Sequence, residues 1–338
     1  MKSYIIATII FSVMLLTIPA IPLLSGKTIE VQAETGVNES SEQEEKEIET
    51  EEKTEIKYDI IKILDVTTGK VEEISAYDYV VGAVSAEMPA TFEPEALKAQ
   101  AVAAYTYAVR QAEKAKASPD ESLCGAYLSN DSSKYQAYFT ENQTKQYYGE
   151  NYEEYIKKIK KAVSEVEGEY LVYEDEPIIA AFHSLSTGKT ETAKNVWGGD
   201  IPYLVSVESE YDSKSPKYTE IYEFTDSEMK ELLETAFDGI ELNEKPEEWL
   251  TDDNLSDAGN VLSLKAGNRE VTGQEIRSAL SLRSASFEIE YDDGFKITTK
   301  GCGHCVGMSQ YGANEMAKTG KNYKEILEHY YKGTEIKN

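Results

Sequence analysis

Between Glu95 and Lys116 the chain reads EALKAQAVAAYTYAVRQAEKAK, a strongly helix-favouring stretch so rich in alanine that its neighbours can approach it closely. Leu97, Ala101, Ala104 and Ala108 make one narrow stripe at helical spacing, and Val102, Tyr105 and Val109 make another. Two apolar stripes call for packing on two sides, so this helix is expected at the centre of a domain. Pro94 suits its first position, and Glu95 in the first turn with Lys114 and Lys116 near the end match the polarity of the helix dipole.

The segments around it are shorter. IIKILDV and VEEI flank Thr67-Thr68-Gly69-Lys70 and read as a hairpin starting near Tyr58. Ser75 is placed to cap a helix, AYDYVVGAVSAE, that Pro89 stops. YEEYIKKIKKAVSEVEGE has helical spacing; LVY, EDEP and IIAAFHS suggest a second hairpin. Residues 212–260 are polar, with a helical stretch near SEMKELLETAF, and are expected to form a lobe or insert. NYKEILEHYY reads as a closing helix after the glycine-rich GCGHCVGMSQYGA. Strands and helices alternate irregularly, which predicts an α+β fold with a central Ala-rich helix and short antiparallel strands.

Residues 4–24, YIIATIIFSVMLLTIPAIPLL, are uncharged and long enough as a helix to cross a hydrocarbon core of roughly 30 Å. Residues 1–25 are therefore expected to be a membrane anchor with the remainder outside the cytoplasm; Val31-Gln32-Ala33 leaves cleavage and secretion as the alternative. Residues 34–55 hold ten Glu and two Lys, so 26–57 is expected to be an acidic, disordered linker before a folded domain over 58–338.

The whole chain of 338 residues carries 62 acidic against 34 basic side chains, a formal net charge of -28 that repels phosphate backbones and argues against nucleic acid as a partner. It has no Walker loop, no dinucleotide-binding G-x-G-x-x-G and no G-x-S-x-G elbow, and only three histidines for acid–base or metal work. Glu87 is the notable acid. It ends the first helix between Ala86 and Met88, at the turn made by Pro89, where a partly dry corner would keep a carboxyl protonated near neutral pH and able to protonate a leaving oxygen. On composition alone a glutamate at a helix end is usually a wet surface charge.

Four ordered blocks go further: SAEMPATFEPEALKAQAVAAYTYA, AAFHSLSTGKTETAKNVWGGDIPYLVSV, EVTGQEIRSALSLRS and GCGHCVGMSQYGANEMAKTG. Together they resemble the SpoIID/LytB family from about Tyr58 to the C-terminus. The resemblance implies a lytic transglycosylase that cuts peptidoglycan glycan, preferably free of stem peptides, between N-acetylmuramic acid and N-acetylglucosamine during forespore engulfment. Its partners would be glycan strands, a peptidoglycan amidase and membrane proteins of the engulfment machinery. The family's catalytic acid falls on Glu87. Lys98, Gln100, Ser184, Ser186, Thr187, His304, Ser309, Gln310 and Tyr311 are expected to contact substrate, and Trp197 and Tyr203 could stack on sugar rings. The relatives named amidase enhancers imply another reading, a non-catalytic modifier that holds glycan, and a purely structural reading makes the chain a glycan-binding wall module in which Glu87 is incidental. Two departures stand out. Ala104-Tyr105-Thr106-Tyr107-Ala108 lacks the family's usual Arg, and Gly301-Cys302-Gly303-His304-Cys305 replaces the usual G-W-G-H-G. The chemistry requires no cofactor. The Cys-x-x-Cys pair around a His makes Cys302, His304 and Cys305 candidate zinc ligands, while outside the membrane the same two thiols could instead oxidise to a tight disulfide; the zinc-bound members of the family carry their ligands in a loop that here keeps only Cys124.

Overall fold

A computed structural model describes residues 57–338. The apolar run and the Glu-rich stretch expected to anchor and tether the chain lie outside the described residues.

The chain opens with a hairpin, β1 (Ile60–Asp65) and β2 (Lys70–Ser75), paired antiparallel around Gly69 at φ 70°. Asp65 stabilises the turn by accepting from the Thr67 N–H and the Thr68 hydroxyl. Ser75 caps α1 (Ala76–Glu87) by accepting from the Asp78 N–H. Met88 turns to an extended conformation and Pro89 follows, so the helix must end at Glu87. After Pro94 the alanine-rich segment forms α2 (Pro94–Ala117), which buries residues on nearly every side.

Next come β3 (Leu128–Ser129), which pairs parallel to β1, and the helices α3 (Glu141–Tyr148) and α4 (Tyr152–Ser164). β4 (Tyr170–Tyr173) turns through Glu174 and Asp175, both at positive φ, into β5 (Glu176–Pro177). The expected second hairpin is thus only two residues deep on its return side. Its continuation, β6 (Phe182–His183), leaves that sheet and is followed by α5 (Ala193–Trp197). A second unit follows: β7 (Thr219–Phe224), α6 (Asp226–Ala236), β8 (Leu250–Leu255), β9 (Val261–Ala266), β10 (Arg269–Val271), α7 (Gly273–Ala279), β11 (Phe287–Tyr291) and β12 (Phe295–Lys300). The chain then returns through β13 (Met308–Ser309), α8 (Gln310–Lys318), α9 (Tyr323–Tyr330) and β14 (Glu335–Lys337).

The result is a mixed α/β fold of helices and small sheets. Most pairs are antiparallel, as expected, but β1–β3 and β6–β13 are parallel, which the alternation of apolar residues could not reveal. Around α2 pack α1, α4, α8, α9 and β4. Ala99, Ala103 and Ala104 are fully buried there, and their lack of side-chain bulk lets the neighbours close in. A separate core is built from Met229, Leu233, Leu264, Ile276 and Ile297 between β7 and β12, so it reaches well past residue 260. Buried Glu191 joins the two: it accepts from Thr192 and Asn195 beside α5, and from Ser256 and Asn260 of the second unit. The glycine-rich segment 301–307 runs back between them, bridging Cys302 to Leu185 and Gly303 to Ser284.

Candidate active site

Because α1 ends at Glu87, the carboxyl leaves the helix axis at a corner bounded by loop 135–139 and the start of α8. The residue as a whole is part-exposed, yet the carboxyl itself is sheltered: burial pushes its pKa up to about 7, opposed by a hydrogen bond in which the Ala137 N–H donates to Oε1 at 2.8 Å. Such a carboxyl can keep its proton near neutral pH.

The floor beneath it is a network of neutral groups. Gln310 donates through Nε2 to the Glu87 carbonyl at 3.0 Å, satisfying one of the last carbonyls of α1, and to Gln100 Oε1 at 3.2 Å. Gln310 is held there because Ser309 caps α8 by accepting from Gly312, while β13 pairs with β6, placing Ser309 opposite His183. On the other side the Tyr79 hydroxyl donates to Gln136 Oε1 at 3.1 Å, and the Gln136 N–H donates to the Tyr107 hydroxyl at 3.3 Å. Loop 135–139 docks on α1 at Gly82: the Phe139 N–H donates to the Gly82 carbonyl, and an added Cβ at Gly82 would meet Tyr138 at 2.3 Å.

Beyond Glu87 the surface continues over Tyr311, whose ring meets Phe92 edge-on at 4.9 Å and whose N–H donates to the Ser184 carbonyl. His183, His304 and Trp197 follow, with ring centroids 5.7 Å and 5.3 Å from His304. His183 Nδ1 faces the Val306 carbonyl, so it carries the hydrogen and Nε2 is an acceptor; burial pushes its pKa down to about 4 and keeps it neutral. His304 has the opposite tautomer, since its Nδ1 accepts from the Val306 N–H. Among the described residues His183 Nε2 and Trp197 Nε1 have no hydrogen-bond partner.

The structure links Glu87 through Gln310 and Tyr311 to Ser184 and, by way of His183, to His304. It uses others differently. Lys98 lies two residues, roughly 200° of helical rotation, from Gln100 and is engaged by Glu95 and Glu165 at 2.7 and 2.6 Å, away from the acid. Gln100 is fully buried as a support for Gln310. Ser186 is buried and donates to Asp212, Thr187 donates to the Ala258 carbonyl of the second unit, and Ser309 serves as the α8 cap. Tyr203 is a core residue whose hydroxyl accepts from Ile179. The partners of Ser186 and Thr187 come from segments distant in sequence. Gln136, Tyr79 and Tyr107 carry no sequence signal of a site: Tyr79 and Tyr107 lie among the apolar positions of α1 and α2, and Gln136 sits in an aromatic-rich loop without period. Tyr105, at the position of the relatives' arginine, bonds both main-chain groups of Tyr58 and so pins the start of the domain.

The candidate zinc ligands do not form a site. Among the described residues no three His, Cys, Asp or Glu side chains converge on a common point. Burial pushes the Cys305 thiol up to about 12, and its sulfur faces the Leu185 and Gly303 carbonyls. Cys124 is exposed.

Residues 65–173 match the family model described as SpoIID, stage II sporulation protein. The chain is 41% identical over 279 residues to stage II sporulation protein D of Bacillus subtilis, covering 82% of this chain and 78% of that one. The corresponding protein of Bacillus amyloliquefaciens is 40% identical over 278 residues, with the same coverage. An amidase enhancer of Bacillus subtilis is 26% identical over 314 residues, 75% of this chain and 40% of the relative.

Proposed function

The chain belongs to the stage II sporulation protein D family, and from that membership we propose that it is a lytic transglycosylase cleaving peptidoglycan glycan between N-acetylmuramic acid and N-acetylglucosamine during engulfment, preferably on strands lacking stem peptides. One observation carries the reading: Glu87 is a sheltered carboxyl with a pKa of about 7, and among the described residues its burial and the Ala137 N–H account for that value.

Such a group can act twice. Neutral Glu87 protonates the bridging oxygen as the C1–O bond breaks and the ring flattens toward an oxocarbenium ion. The resulting carboxylate then takes the proton of the muramic acid C6 hydroxyl as that oxygen bonds to C1, giving a 1,6-anhydro end. The nucleophile belongs to the substrate, so no second carboxylate is needed to hold a water, unlike an ordinary glycoside hydrolase. A tethered hydroxyl, with an effective molarity on the order of 10⁵ M, competes well with solvent. Tyr311 and Ser184, both part-exposed, supply a ring face and a hydroxyl along the strand path. In this reading the N-terminal apolar run anchors the domain outside the cytoplasmic membrane, and an amidase supplies the denuded strands.

The amidase-enhancer relative favours a second reading, glycan holding without cleavage. Incubating full-length chain with peptide-free glycan and analysing the fragments by mass spectrometry separates them. Anhydro-muramyl ends should appear with the wild type and fall at least about 100-fold in Glu87→Gln, the usual minimum for loss of a general acid; intact strands with both proteins, or turnover retained in Glu87→Gln, would reject the transglycosylase assignment.

A further inference from the structure

Glu87 has two oxygens, and the structure treats them differently. A backbone N–H can only donate, so the oxygen it reaches must act as the acceptor. Ala137 N–H reaches Oε1 at 2.8 Å. The carbonyl oxygen of a neutral carboxyl is the better acceptor, so this contact favours the hydrogen on the other oxygen, Oε2. The peptide that delivers this N–H is gripped from two helices: the Gln136 side chain accepts from Tyr79 of α1, and the Gln136 N–H donates to Tyr107 of α2. Phe139 and Tyr138 fasten the same loop at Gly82.

We infer that Tyr107, Tyr79 and Gln136 are positioning residues that, through the Ala137 peptide, confine the Glu87 proton to Oε2 and hold that oxygen toward the open face. This rests on the acid role proposed for Glu87 and deepens it. The hydroxyls of Tyr79 and Tyr107 are the titratable groups facing Glu87 from α1 and α2; burial raises the pKa of both, so they stay neutral. From α8 the neighbour is the neutral amide of Gln310, and from the loop the Ala137 peptide itself.

The Ala137 N–H binds a carboxylate more strongly than an acid, so it holds the pKa of Glu87 down. Loss of that N–H contact with the pocket still dry raises the pKa. The experiment titrates full-length chain labelled with carboxyl ¹³C-glutamate by NMR, where one resonance should move with a midpoint near 7 and be missing from Glu87→Gln. In Tyr107→Phe that midpoint should rise by roughly half to one pH unit, the scale of a weakened hydrogen bond to a charged group. Gln136→Ala, which releases the Tyr79 grip, should move it the same way and serves if Tyr107→Phe does not fold. An unchanged or lowered midpoint in a folded variant would overturn the inference, because simple loosening that admits water lowers the pKa. The same variants should shift the alkaline limb of anhydro-fragment release upward without changing KM. The NMR midpoint is read whether or not the chain cleaves glycan, so absence of product would reject the enzyme reading while leaving the positioning inference to stand or fall on the titration.

Discussion

Gly82→Ala is the sharpest test of how the site is assembled. In the middle of an ordinary helix this change stabilises by about 0.5–1 kcal/mol, because alanine loses less backbone entropy on folding. At Gly82 the new Cβ would lie 2.3 Å from the Tyr138 ring and 2.4 Å from the Phe139 carbonyl. Ordinary contact begins near 3.4 Å, so the loop must withdraw by about an ångström. Overpacking of that kind costs about 1–3 kcal/mol, which matches or exceeds the propensity gain, and a net destabilisation of up to about 2.5 kcal/mol is expected. The same withdrawal carries the Ala137 N–H off Glu87, so anhydro-fragment release should fall by more than the loss of folded protein explains. Urea unfolding monitored by circular dichroism measures the first quantity, and initial rates at matched folded concentration measure the second. A stabilised Gly82→Ala protein with wild-type turnover would show that the loop does not seat on α1 and refute the reasoning.

Other outcomes follow from the same contacts. Since burial raises the Glu87 pKa from 4.5 to about 7, its penalty is absent below 4.5, grows as pH rises through 7 and is complete above it. Glu87→Gln should therefore be more stable than wild type by a few kcal/mol at most at pH 8.5, with the gain vanishing near pH 4.5 in urea melts; a gain independent of pH would contradict the assignment. Lys98→Met removes two partly exposed ion pairs and should cost about 1 kcal/mol while leaving the KM for glycan unchanged. Glu191→Ala strips acceptors from four donors, two of them in the second unit, and should cost about 2–4 kcal/mol with faster hydrogen exchange in β8–β10.

Much of the scaffold was legible because it rests on short-range rules. Pro94, the alanine stripes and the terminal lysines define α2; Ser75 and Pro89 bracket α1, and so place Glu87 at a helix end. The second hairpin is shorter than its sequence suggests because Ile178–Ala181 is apolar without pairing as a strand, while its successor β6 pairs in parallel with a segment more than a hundred residues away. Lys98 and Gln100 looked alike as polar residues on one helix, yet one faces two glutamates and the other the interior.

Local periodicity and capping thus settle which segments are helical, where each stops and which acid stands at a corner, since those preferences act over four residues or fewer. Whether that acid is dry is another matter. It depends on a loop fifty residues downstream seated at a glycine, and on an amide from α8, more than two hundred residues away, closing the floor. Desolvation is a property of the surroundings, and surroundings built from distant chain exist only once the domain has closed.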